Sequence, residues 1–181
     1  MSGFGSSIFA ALGGAVFTVG LVMASVSDVR SRRIPNRLVL FLALAGLVYS
    51  IVSTPTWSGV ARSLIALAIG FGLWIPFYAL RMLGAGDVKL FAAASCWLAP
   101  AHVVAAALLS AIAGGVLSIV GLVLAHGLGL TTLRIAQGIQ NPRVLATPLG
   151  VAPGKKTLPY GLAMAVGLLI VAWFPRWIHL S

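Results

Sequence analysis

The chain alternates between long apolar runs and short segments that carry most of its charged residues. The apolar runs cover approximately residues 8–27, 38–53, 60–83, 87–100, 102–125 and 160–174. A helix that crosses a bilayer needs about 20 consecutive apolar residues. The pattern therefore predicts an all-α, polytopic membrane protein with six transmembrane helices. We expect one domain over residues 1–181, with a long connecting loop at 127–159.

Three of these runs have features that refine the prediction. No Lys or Arg precedes the first run, so it lacks the basic start of a signal peptide, and we expect a retained helix. The third run contains Pro76, which membrane helices tolerate, often with a kink. The fourth run has about 14 residues and would span only about 21 Å of the roughly 30 Å of hydrocarbon. We therefore expect this helix to begin at Asp87, inside the membrane boundary.

The composition supports the membrane interpretation. The 181 residues are 60% hydrophobic and only 8% charged, and the mean hydropathy is +1.09. Soluble domains average about a quarter charged residues. The net charge of +10 would suggest nucleic acid in a soluble protein, but here the cations lie between apolar runs. Anionic membrane lipids are therefore the expected partner, and nucleic acid is not. With one cysteine, Cys96, and no metal-ligand spacing, we expect no metal and no cofactor.

The distribution of Lys and Arg predicts the orientation of the helices. With six crossings, ten of the twelve cations fall on one side and only Arg62 and Arg176 on the other. The positive-inside rule then places the ten cations in the cytoplasm and both termini outside. The ten are Arg30, Arg32, Arg33, Arg37, Arg81, Lys89, Arg134, Arg143, Lys155 and Lys156.

Only two acidic residues occur in the chain, Asp28 and Asp87, and both fall at predicted cytoplasmic helix ends. An acid at a membrane boundary is costly and marks a candidate functional site, although an ion pair with a nearby arginine is the structural alternative. Two adjacent carboxylates can share one proton, so that one activates water while the other protonates a carbonyl oxygen. This is the chemistry of aspartic peptidases. Glycines beside such an acid let a substrate backbone approach closely.

Three sequence blocks resemble those of type IV prepilin peptidases, in the same order along the chain. They are DVRSRRIPN at 28–36, GAGDVKL at 84–90 and KTLPYG at 156–161. The last block resembles the short members of the family, which act in Flp/Tad pilus systems. The resemblance covers all six predicted helices.

The resemblance implies a membrane aspartic peptidase of the GxGD type in the bacterial inner membrane. Such an enzyme removes the short basic leader of a prepilin on the cytoplasmic side. Asp28 and Asp87 match the two catalytic aspartates, with Gly84, Gly86, Ile34, Pro35 and Asn36 as motif or backbone support. The candidates for substrate contact are Lys89, Arg30, Arg33, Pro159, Tyr160 and Gly161. Because long members methylate the new terminus through a domain with paired cysteines, which this sequence lacks, we expect peptidase activity alone.

Other functions are compatible with parts of the pattern. A proton-coupled transporter would also use intramembrane acids, but it predicts acids near the bilayer midplane and repeated halves. A scaffold in a secretion machine would tolerate Asp-to-Asn changes. Intramembrane GxGD proteases with other substrates share the GxGD block. The sequence does not define the pilin, the residue before the cut or the oligomeric state. It also leaves open whether the two acids lie close together without substrate, and which of them is base and which is acid.

Overall fold

The computed structural model describes residues 3–54, 56–126, 137 and 160–174, and the regular structure in those ranges is helical. Six helices follow one another in the described chain: α1 Gly3–Ser31, α2 Asn36–Ser53, α3 Trp57–Ala79, α4 Ala85–Ser95, α5 Pro100–His126 and α6 Tyr160–Trp173. The expected loop at 127–159 lies outside the described residues, apart from Gln137.

Four segments are long and apolar enough to cross a membrane: Phe9–Ser31, Asn36–Ser53, Trp57–Ala79 and Pro100–Gly121. Their outward faces carry large apolar side chains that are more than half exposed, such as Leu12, Leu40 and Ile112. A soluble protein rarely exposes apolar surface on this scale. The chain is therefore a multi-pass membrane protein with lipid as the solvent for these faces.

The other two helices are shorter than the hydrocarbon core. Helix α4 has 11 residues and α6 has 14, which correspond to about 17 Å and 21 Å at 1.5 Å per residue. Helix α4 is enclosed by protein, because it contacts α1, α2, α3 and α6. Its residues Val88 and Leu90–Ser95 are buried. The helix that begins at the GAGD block is thus the centre of the bundle.

Helix α4 differs at both ends from the sequence expectation, which placed it at residues 87–100. It begins two residues before Asp87, at Ala85, because Gly84 serves as its N-cap. The helix stops at Ser95, and Pro100 begins α5 instead. Proline suits the first turn of a helix, and it disfavours helical backbone in the residue before it. The N–H groups of Cys96, Trp97 and Leu98 donate to carbonyls three residues back. These tight bonds close α4 and turn the chain.

Polar contacts fasten this turn to its neighbours. The indole N–H of Trp97 donates to the Leu42 carbonyl of α2 over 2.9 Å. The Ser63 hydroxyl of α3 donates to the Cys96 carbonyl over 3.0 Å. Because few alternative partners exist away from water, such bonds define the position of the turn. Helix α4 is therefore held at its C-terminal end, opposite Asp87.

Helix α6 packs closely against α5 and α1. Gly167 leaves no room for a side chain beside Ser110, and the Ser110 hydroxyl donates to the Met164 carbonyl over 3.3 Å. Small residues allow helix backbones to approach in this way. The indole N–H of Trp173 donates to the Thr18 hydroxyl of α1 over 3.2 Å. These contacts bring the first turn of α6 to the end of α1, where Asp28 lies.

Candidate functional site

Asp28 belongs to the buried stripe of α1. This stripe also contains Phe17, Leu21 and Ala24, which recur at the three- and four-residue spacing of one helix face. Asp28 is 8% exposed. Its Oδ2 accepts a hydrogen bond from the backbone N–H of Gly161, over 2.8 Å. The amide of Gly161 is free to donate because the first N–H groups of a helix have no partner within it.

The chain leaves α1 through a left-handed residue. Arg32 has φ of 55°, and its N–H donates to the Asp28 carbonyl over 2.9 Å. This is the geometry of a helix C-cap, a position that glycine usually occupies. The hydroxyls of Ser27 and Ser31 both donate to the Arg33 carbonyl, over 2.8 Å and 3.2 Å. The segment before Ile34 is therefore tied back to the helix that carries Asp28.

A second left-handed cap precedes the GAGD block. Arg81 has φ of 59°, its N–H donates to the Tyr78 carbonyl, and the Met82 N–H donates to the Phe77 carbonyl, both over 2.9 Å. This pair of bonds is a Schellman motif with arginine in the usual glycine position. It ends α3 sharply and turns the chain into the segment that starts α4.

Asp87 occupies the first turn of α4. Its Oδ2 accepts a hydrogen bond from the backbone N–H of Gly84, the residue that caps the helix, over 3.3 Å. A carboxylate is favoured here because the N–H groups at a helix start carry partial positive charge. Gly84 has an ordinary φ of −75°, so its backbone does not require glycine. A Cβ at this residue would lie 3.1 Å from Oδ2 of Asp87, so the missing side chain leaves space beside the carboxylate.

The two N-terminal sequence blocks touch each other at Gly86. A Cβ added there would lie 3.5 Å from the Ile34 side chain, which is an ordinary packing distance. Ile34 packs against the buried core. The contact joins the loop after Asp28 to the turn before Asp87, and it gives Ile34 a definite place in the site. Pro35 and Asn36 follow as the N-cap and first residue of α2.

The two acids lie in segments that contact each other through Ile34 and Gly86. The pKa of Asp87 is raised by burial and by the negative charge of Asp28, while the Gly84 N–H acts in the opposite direction. Asp87 lies outside the four helices that are long enough to cross a membrane. The pKa of Tyr160, in the first turn of α6, is raised by burial and by the charge of Asp87. Asp28, Asp87 and Tyr160 thus surround one site at one end of the bundle.

The arrangement meets the requirements of acid–base chemistry with one shared proton. Asp28 accepts a hydrogen bond from the backbone N–H of Gly161. Asp87 is held in surroundings that favour its protonated form. Two neighbouring carboxyls that share one proton can serve as base and acid in one step. Because the charge of one carboxyl affects the other, the two protonation steps belong to the pair and not to single residues.

Several candidate residues do not reach the acids. Lys89 is exposed and lies about 160° around α4 from Asp87, since each residue advances a helix by about 100°. Arg30 is exposed and likewise lies about 160° around α1 from Asp28, which is two residues earlier. Arg33 contributes a carbonyl that holds the loop, and its side chain is exposed. Pro159 lies outside the described residues.

Tyr160 and Gly161 acquire roles that the sequence did not reveal. A Cβ at Gly114 of α5 would lie 2.7 Å from the phenol oxygen of Tyr160, so this glycine makes room for the tyrosine ring. A Cβ at Gly161 would lie 2.9 Å from Oδ2 of Asp28. The sequence predicts Gly161 only as a candidate for substrate contact. The available signal was its place at a helix start, where backbone N–H groups seek an acceptor.

The part of the chain that the structure describes contains no cluster of metal-ligating side chains. No three His, Cys, Asp or Glu residues come together there in an arrangement that could hold an ion.

Comparison with known families supplies independent information. The sequence model of the type IV leader peptidase family matches residues 15–119, which include both acids and the first two blocks. No curated protein and no solved structure is significantly similar to the chain.

Proposed function

Because the chain belongs to the type IV leader peptidase family, we propose that it is a membrane-embedded aspartic endopeptidase that removes the basic leader of Flp/Tad-type prepilins. One observation carries this proposal. The only two acids of the chain lie in separate sequence blocks, yet these blocks contact each other where Ile34 packs beside Gly86, and the charge of Asp28 acts on Asp87. The family gives the reaction class, and the acids give the chemistry.

In the proposed mechanism, the two carboxyls share one proton and hold a water molecule between them. The ionised carboxyl takes a proton from this water, and the water oxygen attacks the scissile carbonyl carbon. The protonated carboxyl gives its proton to the carbonyl oxygen. Collapse of the tetrahedral intermediate breaks the C–N bond, and the proton taken from water passes to the leaving amine. A hydroxyl of the intermediate returns its proton to the second carboxylate, which forms the carboxyl product and restores the shared proton. The N–H of Gly161 and the N–H of Gly84 orient Asp28 and Asp87 for these transfers.

We place the site on the cytoplasmic side of the bacterial inner membrane. The support is the charge distribution, because ten of twelve Lys and Arg fall on the side of the acids if the chain crosses six times. Four of those crossings correspond to the long helices. The other two would use α4 and α6. Both termini would then lie outside.

We propose the prepilin as the macromolecular partner, with its apolar helix packed against the enzyme and its basic leader beyond the cut. Activity would consist of hydrolysis alone, because the paired cysteines of the methylating relatives have no counterpart here. No cofactor enters the mechanism.

The test is cleavage of a co-expressed Flp-type prepilin, followed by mobility and by the mass of the new N-terminus. We expect Asp28→Asn and Asp87→Asn each to abolish cleavage at normal membrane levels. Arg62→Gln is the matched control, since it also changes one charge and lies at an exposed position of α3. The mass also reports whether a methyl group is added.

Two outcomes would lead to other functions. Cleavage that persists in either Asn variant would remove the two-aspartate mechanism and favour the transporter or scaffold interpretations. Cleavage inside the pilin's apolar helix, instead of before it, would identify an intramembrane GxGD protease with a different specificity.

A further inference from the structure

An open groove of about 650 Å³ runs between α1 and α2 on the outer surface of the bundle. Gly20, one of its lining residues on α1, faces Leu42 of α2, a contact with no room for a side chain at residue 20. The groove is lined by Ala15, Val16, Val19, Gly20, Met23, Pro35, Arg37, Leu38 and Phe41. Eight of these nine residues carry no charge, so the walls suit a hydrocarbon chain.

One end of the groove is cationic. Arg37 is the charged member of the lining and lies in the first turn of α2. Arg30 follows Met23 by seven residues on α1, which is about two turns, so it lies on the same helix face beyond the groove. Both arginines are exposed. The two acids of the chain do not line the groove.

We propose that this groove binds an anionic phospholipid, with an acyl chain between α1 and α2 and the headgroup phosphate at Arg37 and Arg30. Arginine recognises phosphate through paired N–H donors with fixed geometry. The combination of an apolar channel and a cationic end complements such a lipid in both shape and charge.

The length of the groove matches one leaflet. Ala15 and Met23 are eight residues apart, which corresponds to about 12 Å along α1. Half of the hydrocarbon core is about 15 Å. An acyl chain that follows the groove from Arg37 would therefore end near the bilayer midplane, as a lipid of that leaflet does.

The position of the groove argues against the substrate helix as its occupant. Met23 and Asp28 are five residues apart on α1, so their side chains project about 140° from each other. Asp28 is directed towards α6, whereas Met23 is directed towards the groove. A pilin helix in this groove would lie on the far side of α1 from the acids.

The proposal is tested by native mass spectrometry of the full chain in mild detergent, with phosphatidylglycerol and phosphatidylcholine supplied in equal amounts. We expect selective retention of phosphatidylglycerol. The double variant Arg30→Gln/Arg37→Gln should retain at least about tenfold less, because the loss of even one charge-assisted bond has that effect. Val19→Trp should also lower retention by filling the groove, with all charges intact. Arg62→Gln, the control, should bind as wild type does.

A photo-crosslinking residue at position 19 identifies the occupant. Capture of phosphatidylglycerol supports the proposal, whereas capture of prepilin or a second copy of the chain overturns it. Equal retention of both lipids by the wild type, or wild-type retention by the double variant, also overturns it. Lipid retention is measured without cleavage, so the result does not depend on the proposed function.

Discussion

The contact between Gly161 and Asp28 allows a test of how the site depends on its geometry. In Gly161→Ala, the new Cβ would lie 2.9 Å from Oδ2 of Asp28 and 3.2 Å from both Cβ and Cγ of the same residue. The methyl group would meet the side chain close to its attachment to α1, where it has little freedom to turn away. We therefore expect the carboxylate to move and the 2.8 Å hydrogen bond to weaken.

The size of the effect follows from the kind of bond that is lost. A hydrogen bond to a charged group contributes about 1.5–3 kcal/mol, and each 1.4 kcal/mol corresponds to about a tenfold change in rate. If the N–H orients Asp28 during the reaction, Gly161→Ala should reduce prepilin cleavage by roughly ten- to a hundredfold. This is less than the complete loss expected for Asp28→Asn.

The assay measures initial cleavage rates with purified enzyme in detergent and a synthetic or co-purified prepilin. Gly115→Ala is the matched control, because no atom lies within 4 Å of a Cβ added there. Alanine is favoured over glycine within helices, so the control should fold and cleave at least as well as wild type. A wild-type rate for Gly161→Ala would refute the orienting role of this amide.

Three further predictions concern packing and protonation. Phe91→Ala in the buried α4 should destabilise the protein by about 3–5 kcal/mol in thermal unfolding. The control Phe71→Ala removes a ring that is 41% exposed, so it should destabilise the protein much less. Equal effects of the two variants would contradict the central position of α4. Gly114→Ala should lower the cleavage rate by displacing Tyr160. Because the two residues are in contact, the effects of Gly114→Ala and Tyr160→Ala on the cleavage rate should not add in the double variant. Strict additivity would argue against the contact. The pKa of Asp87 is raised in the folded protein by burial and by Asp28, so the folded state holds this proton more tightly than the unfolded chain does. The unfolding temperature should therefore fall as pH rises from the ordinary aspartate value through the raised one; Asp87→Asn should flatten this profile, and a flat wild-type profile would contradict the shift.

Hydropathy identified where the chain meets lipid, but it did not define helix ends. The first apolar run was expected to end near residue 27, yet α1 continues to Ser31. Polar residues at a membrane boundary can remain helical, because hydropathy measures partitioning and not backbone conformation. The end of α4 at Ser95 could be predicted only if Pro100 was interpreted as the first residue of the next helix. The family assignment made from the three blocks is confirmed by the family match.

The site was predictable to the extent that its residues stand out chemically. Asp28 and Asp87 are the only acids in the chain, so a joint site could be inferred before the coupling between them was known. Their catalytic roles remain predictions. The bond from Gly161 to Asp28 joins residues 133 positions apart, and no local pattern encodes such a contact. The packing of Gly114 against Tyr160 depends likewise on how α5 meets α6.

The long separation between Asp28 and Gly161 has a consequence for biogenesis. Both acids enter the membrane with the first four helices, whereas the amide that orients Asp28 belongs to α6, the last of the described helices. During synthesis, the two carboxyls are therefore present before their geometry is complete. Under the proposed mechanism, hydrolysis would therefore begin only after α6 has inserted, because Asp28 receives the hydrogen bond from Gly161 only then.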